Sequence, residues 1–230
     1  MTNFAKSDDA RSRRIGVIFD WDGVIIDSGD YHRTSWQLLA AAEGKTLPEG
    51  YFNTGFGQTS EMIVEKILKW TSSPQEVRRL CLSKESLYRD VIRTRPLVLL
   101  PGVVGFATGL REAGIPFCIG SSTHRENIAL VLRQAGQEAL FDAAITAEDV
   151  SQGKPAPEVF LKAAARMGRL PADCVVFEDA FAGFAAARAA GMKLVGVATT
   201  HPLAELSGHV DAAVNRLDEF DVPRLGRLFL

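Results

Sequence analysis

The sequence predicts an α/β fold: a doubly wound, Rossmann-like parallel sheet forms the core, and a helical cap is inserted after the first strand. Short apolar runs rich in β-branched residues recur along the chain without polar alternation, which is typical of strands covered by helices on both faces. Helical patterns separate these runs, which favours right-handed crossovers between parallel strands. The first two runs lie about ninety residues apart, far beyond an ordinary connection.

Five of the apolar runs are predicted to form strands, and a weaker sixth follows them. In chain order they span residues 15–19, 116–120, 143–146, 174–177, 194–197 and, for the weak one, 212–214. Apolar positions spaced three or four residues apart predict helices at residues 103–113, 125–135, 157–167 and 180–190. Because the carboxyl ends of parallel strands meet at one edge of a sheet, polar residues that follow them are expected to share a crevice.

The long gap is predicted to be an all-helical cap of residues 30–95. Helical spacing occurs in segments 36–43, 61–70 and 74–93, and a Gly-rich loop is expected at residues 53–57. Pro101 and Gly102 mark the return to the sheet. The predicted organisation is a core domain of residues 1–29 and 96–230, with residues 1–14 as a solvated tail, and a cap domain of residues 30–95.

Composition and charge argue against several classes of function. The chain has 230 residues, 47% of them hydrophobic, which is enough for a full core. Its 26 basic and 28 acidic side chains form no long block of one sign, so we expect neither nucleic acid nor a membrane surface as a partner. Cys118 and Cys174 lie in apolar runs and are expected to be buried thiols of a cytoplasmic protein. The expected form is a monomer, with a dimer as the alternative.

Two carboxylates follow the first predicted strand. Residues 19–28 read FDWDGVIIDS, which places Asp20 and Asp22 two positions apart where the chain leaves the sheet. A turn at Gly23 lets both carboxylates face one pocket and exposes the backbone amides of Asp22 and Gly23 to an anion. Alone, this pattern fits a polar loop equally well, because short motifs of this kind recur by chance.

Further polar side chains lie at the ends of later strands or just before a helix. They are Ser121 and Ser122 after the second strand, Lys154 in the segment GKP, and Glu178 and Asp179 after the fourth strand. Each has a plain structural interpretation: a helix cap, a solvated lysine, or acids at a helix N-terminus. Their joint placement argues against coincidence and predicts one catalytic crevice.

The chain resembles the haloacid dehalogenase superfamily, in its capped phosphatase and β-phosphoglucomutase-like branch. The resemblance runs from residue 15 to about residue 220 and is carried by DWDGVIIDS, IGSSTHREN, GKPAPEVF and VVFEDAFAGFAAARAAGM. It implies phosphoryl transfer through an aspartyl phosphate, with Asp20 as nucleophile and Asp22 as general acid and base. It also implies Mg2+ and phosphate sites. The metal ligands would be Asp20, the Asp22 carbonyl and Asp179, with Glu178 assisting, and the phosphate ligands Ser121, Ser122, Lys154 and Gly23.

These residue types suit the chemistry independently of the family. A phosphate monoester is a dianion, so attack by a carboxylate requires Lys154, amide donors and a divalent cation to absorb charge. Oxygen ligands suit Mg2+. A second acid must protonate the departing alkoxide and then deprotonate water, and Asp22 is placed for both steps. Dehalogenation needs neither the metal nor this acid, so phosphorus is favoured over carbon.

The rest of the substrate must be recognised by the cap and the loops that face it. The specificity candidates are Tyr31, His32, Phe56, Gln58, Thr59 and His124, whereas Trp36 is expected in the cap core. The expected substrate is a small-molecule phosphate monoester of a sugar, a polyol or a similar metabolite. Segment 56–74 is also similar to plant-type phosphatases that act on a ribitylamino-uracil intermediate. The alternative from another class is a non-catalytic binding module, although no motif position has been replaced.

Phosphatase and phosphomutase are alternatives within the same chemistry. Residues 20–36 closely resemble the mutases, including His32, which in that family lies near the general acid as the cap closes. A mutase must grip the second phosphate of a bisphosphate, and the mutases place a lysine and an arginine beside the cap-loop glycine. Segment 56–60, FGQTS, contains no cation, and the nearest along the chain are Lys45 and Lys66. We therefore expect a phosphatase, with sugar phosphomutase as the alternative.

Overall fold

The computed structural model describes residues 14–229, in which six parallel strands form one sheet. The strands are β1 Gly16–Phe19, β2 Phe117–Gly120, β3 Ala144–Ile145, β4 Cys174–Glu178, β5 Lys193–Val197 and β6 Ala212–Val214. Their order across the sheet is β3-β2-β1-β4-β5-β6, and every neighbouring pair is parallel. The predicted fold class and all six strands are confirmed. The tail predicted for residues 1–14 lies, apart from Arg14, outside the described residues.

The two central strands position the candidate site. β1 and β4 are buried along their whole length, as expected for strands that are apolar except for the final residue of β4, Glu178. Val17 pairs with Val175, and Phe19 pairs with Phe177. The chain turns back to β4 after reaching the edge strand β3, so the strand order reverses beside β1. In a doubly wound sheet, ligands bind at this switch point, outside the carboxyl ends of the strands.

The segment predicted as the cap is helical. It contains α1 Gly29–Glu43, α2 Tyr51–Gly55, α3 Ser60–Met62, a π-helical turn Ile63–Ile67, and α4 Pro74–Thr94. An apolar cluster of its own, including Trp36, Leu39 and Leu80, holds these helices together. The loop expected at residues 53–57 is corrected, because its first three residues belong to α2. The backbone N–H of Phe56 donates to the carbonyl of Phe52 at 2.9 Å and the two rings pack together, which stabilises a helical turn here.

The remaining helices cover the two faces of the sheet. They are α5 Val103–Glu112, α6 Arg125–Gln134, α7 Glu158–Arg166, α8 Phe181–Ala189, α9 Leu203–Leu206 and α10 Val222–Arg227. The apolar sides of α5, α6 and α10 pack on one face, and those of α7, α8 and α9 pack on the other. Cys118 and Cys174 are buried and unpaired, as expected. Between residues 14 and 229, we find no helix with the length and apolarity needed to cross a bilayer.

Candidate active site

Asp20 occupies the position directly after β1, at the switch point of the sheet. Its backbone N–H donates to the carbonyl of Phe177 at 2.9 Å, which fixes it between β1 and β4. The buried Lys154 ammonium donates to Asp20 Oδ1 at 2.6 Å and to Glu178 Oε1 at 2.7 Å. The side chains of Asp20, Lys154 and Glu178 are each at most 4% exposed. The crevice that the sequence predicts is therefore present, with a lysine held between two carboxylates.

Three carboxylates and one lysine give this cluster excess negative charge. Oxygen atoms of Asp20, Glu178 and Asp179 lie within 4.8 Å of one another. Burial raises the pKa of Asp20 while Lys154 lowers it; with Glu178 and Asp22 adding to the rise, the pKa reaches about 7. Burial, reinforced by Glu178 and Asp20, also holds the pKa of Asp179 well above its usual range. The fully ionised cluster is unfavourable without a further cation besides Lys154.

Asp179 gives a second indication of a cation. Its Oδ2 accepts a hydrogen bond from the Thr200 hydroxyl. Its Oδ1 is buried and has no hydrogen-bond partner within the described part of the chain. Buried polar atoms without a partner are rare in native proteins and need an explanation. An oxygen-rich, electron-rich cradle with one unpaired oxygen fits a hard divalent cation such as Mg2+.

Asp22 lies in the same crevice with a different set of partners. Ser28 and Thr123 donate hydroxyl hydrogen bonds to its two oxygens, and His32 Nε2 lies 3.2 Å from Oδ1. Burial raises the pKa of Asp22, but His32 and the hydrogen bonds from His32, Ser28 and Thr123 outweigh it and lower the pKa to about 2. The pKa values of these two neighbouring carboxyl groups are thus pushed apart, and Asp22 is the more readily ionised of the two.

A chain of polar contacts connects Asp22 to the cap. Lys84 Nζ lies 2.8 Å from His32 Nδ1 and 3.0 Å from Glu85 Oε1. Because an ammonium can only donate, Nδ1 of His32 accepts, so the Nε2 hydrogen of His32 is directed at Asp22. The His32 ring also stacks on Tyr88, with centroids 4.1 Å apart. The cap therefore orients a donor onto one oxygen of Asp22.

Gly23 has a structural part in the site. Its backbone N–H donates to the carbonyl of Ile26 at 2.7 Å, so the expected contact with phosphate is corrected: this amide already closes the turn after Asp22. Gly23 has φ +81°, and a Cβ there would lie 1.8 Å from Asp179 Oδ2. Only glycine combines this backbone conformation with such close approach of a carboxylate.

Gly183 in α8 lies similarly close to the Glu178 carboxylate, but its backbone does not have a positive φ. A Cβ there would lie 1.7 Å from Glu178 Oε1, the atom that accepts from Lys154. We expect Gly183→Ala to displace Glu178, which the sequence predicts to assist metal binding, and to lower kcat/KM roughly a hundredfold, the scale on which a displacement of about 1 Å is felt. The matched control is Gly105→Ala in α5, where a Cβ meets nothing within 4 Å. Full activity of Gly183→Ala at unchanged Tm would contradict the role given to Glu178.

A cavity opens from Asp20 and Asp22 into the cap. Its volume, including the part open to solvent, is about 570 Å3. Ser121 and Ser122 line it from the core. The Oγ of Ser121 accepts from the backbone N–H of Thr123 at 3.0 Å, which leaves its hydroxyl hydrogen available to a ligand. The cap contributes aromatic and polar residues to the same cavity. The aromatic residues are Trp36, Tyr51, Phe52 and Phe56. The polar residues are His32, Gln58, Ser60, Lys84 and Glu85.

Three of the six specificity candidates face this cavity: His32, Phe56 and Gln58. Thr59 does not line it, because its side chain caps α3 by accepting from the backbone N–H of Met62. Nor does His124, whose Nδ1 pairs with Glu148 at 3.0 Å at the start of α6. Tyr31 packs on the core beneath Arg95. Trp36 is buried in the cap cluster, as expected, and also reaches the cavity.

Two residues that line the cavity, Lys84 and Glu85, are not among those predicted from the sequence. Lys45 and Lys66 are the nearest cations to segment 56–60 along the chain, but the cation that lines the cavity is Lys84. A signal existed. Lys84 and Glu85 fall within the buried stripe of α4, whose other members are Val77, Leu80, Cys81, Tyr88 and Ile92. Charged residues in an apolar helical stripe are buried only when paired, which marks them as functional candidates.

Comparisons with known proteins identify the family. A model of the haloacid dehalogenase-like hydrolase family matches residues 16–191. The chain is 33% identical over 216 residues to the chloroplastic 5-amino-6-(5-phospho-D-ribitylamino)uracil phosphatase of Arabidopsis thaliana, covering 93% of this chain and 57% of that protein. It is 34% identical over 187 residues to the fructose-1-phosphate phosphatase of Escherichia coli K12, covering 80% of this chain and 97% of that protein. The crystal structure of β-phosphoglucomutase from Clostridium difficile superposes on this chain with a TM-score of 0.81 at 26% identity, covering 93% of this chain and 96% of that one.

Proposed function

Since the chain belongs to the haloacid dehalogenase-like hydrolase family, we propose that it is a Mg2+-dependent phosphatase that hydrolyses a small-molecule phosphate monoester through an aspartyl phosphate on Asp20. The observation that carries this proposal is the buried Asp20 carboxylate at the end of β1, paired with Lys154 and next to two further acids. Two of the relatives, at 33% and 34% identity, are named as phosphatases of phosphorylated metabolites.

In the first step, an Asp20 carboxylate oxygen attacks phosphorus, and the bond from phosphorus to the leaving oxygen breaks. Lys154 holds Asp20 in place and neutralises part of the charge that develops on the phosphoryl oxygens. The Ser121 hydroxyl donates to one of those oxygens. Asp22 delivers a proton to the departing alkoxide. Mg2+, bound through Asp20, Asp179, the Asp22 carbonyl and Glu178, would supply charge stabilisation for the transferring group.

In the second step, water attacks phosphorus of the aspartyl phosphate, the bond from phosphorus to the Asp20 oxygen breaks, and inorganic phosphate leaves. Asp22 now accepts a proton from that water, which balances the proton that it gave to the alkoxide in the first step. The low pKa of Asp22 in the hydrogen-bonded arrangement corresponds to its carboxylate form, which is the form that acts as a base. His32, oriented by Lys84, holds the carboxylate in the direction of the crevice.

The proposal includes the separate cap. We propose that residues 30–95 form a cap domain that closes over a core domain of residues 1–29 and 96–230. The contacts of His32 with Asp22 and of Glu85 with Asn127 both join the cap to the core. The three buried, unpaired cysteines support a cytoplasmic location, where thiols stay reduced.

The primary test is metal removal. We expect hydrolysis of p-nitrophenyl phosphate to be lost in EDTA and restored by Mg2+, because Asp20 and Asp179 then regain the cation that stabilises their ionised forms. Phosphate release is measured alongside p-nitrophenolate. Metal-independent hydrolysis, or halide release from a haloacid, would contradict the proposal. A panel of sugar, polyol and other small phosphate monoesters, ranked by kcat/KM, then identifies the substrate. Turnover of none of them above p-nitrophenyl phosphate would argue against a small metabolite.

A further inference from the structure

Lys84 is the one lysine or arginine among the described residues that line the cavity. It is only 2% exposed. Its ammonium lies 5.0 Å from the centroid of the Tyr88 ring and 5.5 Å from that of Trp36, and it contacts His32 Nδ1. A cation in this position could bind a second phosphate on the substrate, if its charge were not already compensated.

Glu85 compensates that charge. Its Oε1 accepts from Lys84 at 3.0 Å and from the Ser60 hydroxyl at 2.7 Å. Its Oε2 accepts from Asn127 Nδ2 at 2.6 Å. Asn127 belongs to α6 of the core, so the carboxylate is fixed from the cap and from the core together. Burial raises the pKa of Glu85, but Lys84, His124, His32 and the hydrogen bond from Ser60 outweigh it and lower the pKa to about 2, so the group is anionic.

The charge of Lys84 is therefore cancelled inside the cavity, and a second phosphate would meet the Glu85 carboxylate. Like charges brought together in a desolvated site repel strongly, which is a common basis of specificity. Neutral hydrogen-bonding groups remain beside the aromatic side chains. The Tyr51 hydroxyl is buried without a partner in the described chain, and Gln58 uses only its amide nitrogen, as a donor to Thr54.

We propose that Glu85 is a specificity-determining residue that excludes substrates with a second phosphate, so that the leaving group is uncharged and bears hydroxyl groups. The proposal deepens the phosphatase function and rests on it. Glu85, through its pairing with Lys84, thereby allows monophosphates to bind and be hydrolysed and weakens the binding of bisphosphates.

The test compares two ligands that differ by one phosphate, fructose 1-phosphate and fructose 1,6-bisphosphate. Binding to the Mg2+-loaded full chain is measured by isothermal titration calorimetry in an Asp20→Asn background, which does not consume the ligands. We expect the bisphosphate to bind roughly tenfold or more weakly than the monophosphate. Glu85→Gln should narrow this ratio by roughly tenfold, because Lys84 regains an uncompensated charge. Adding Lys84→Met to Glu85→Gln should return the ratio of the two affinities to the value measured with Glu85 intact.

Glu61→Gln is the matched control, since it removes the same charge from an exposed position on the cap outside the cavity. An unchanged ratio in Glu85→Gln, including no detectable bisphosphate binding in either background, overturns the proposal, as does equal narrowing in Glu61→Gln. Should Glu85→Gln not fold, bisphosphate binding as tight as monophosphate binding in the Glu85-intact protein still overturns it. Failure of the phosphatase function appears separately, as absent hydrolysis of p-nitrophenyl phosphate by the wild-type chain.

Discussion

Asp20→Asn is expected to lower kcat on every phosphate monoester by about a thousandfold or more, the scale on which loss of a catalytic nucleophile is felt. The amide of asparagine is a poor nucleophile and cannot form the aspartyl phosphate. The fold should persist, because burial and neighbouring acids already make the ionised carboxylate unfavourable there. Phosphate release and thermal melting, measured on the same preparation, check both statements.

The control for this variant is Asp90→Asn, the same chemical change at an exposed position of α4 that pairs with Arg93. It should keep wild-type kcat and KM. Incubation with substrate should leave a phosphorylated Asp20 detectable by mass spectrometry after acid quenching of the wild-type chain, and none in Asp20→Asn. Substantial turnover by Asp20→Asn would mean that another group attacks phosphorus.

The sheet was predictable because burial on both faces leaves a local mark in the sequence. The runs at β1 and β4 are apolar without interruption, and each ends in acids at the point where the chain leaves the sheet. Asp20, Glu178 and Asp179 could therefore be placed together before any contact was known, since strand order alone brings those ends to one crevice. Lys154 was found by the same reasoning together with the family resemblance, and it does lie between Asp20 and Glu178.

The cap side of the site was less predictable, because its contacts join residues that are distant in sequence. Glu85 and Asn127 are separated by 42 positions and meet only when the cap lies on the core. The sequence predicts that Thr59, which follows Gly57 and Gln58, faces the substrate, whereas its side chain caps α3. Charged residues on a helix are usually solvated, so Lys84 and Glu85 are expected in solvent from their residue type alone.

Asp22→Asn is expected to separate the two steps of the reaction. Departure of an alkoxide needs a proton, so hydrolysis of an alkyl phosphate monoester should fall by about a hundredfold to ten-thousandfold, the range of general acid–base catalysis. p-Nitrophenolate leaves without that proton, so phosphorylation of Asp20 by p-nitrophenyl phosphate should continue. The following attack by water still lacks its base. The expected record is therefore a burst of p-nitrophenolate, stoichiometric with active sites, followed by slow steady-state turnover.

Rapid-mixing kinetics measure this burst, and Asp30→Asn is the matched control, because Asp30 is an exposed residue of α1 whose carboxylate pairs with Arg33. The control should show no burst beyond that of the wild-type chain. Equal losses on the alkyl and aryl substrates, with no burst on either, would mean that Asp22 only positions other groups. A burst on the aryl substrate, together with a loss on the alkyl substrate, requires one residue to serve both proton transfers. Asp22 is placed for both transfers, because Ser28, His32 and Thr123 hold its carboxylate in position.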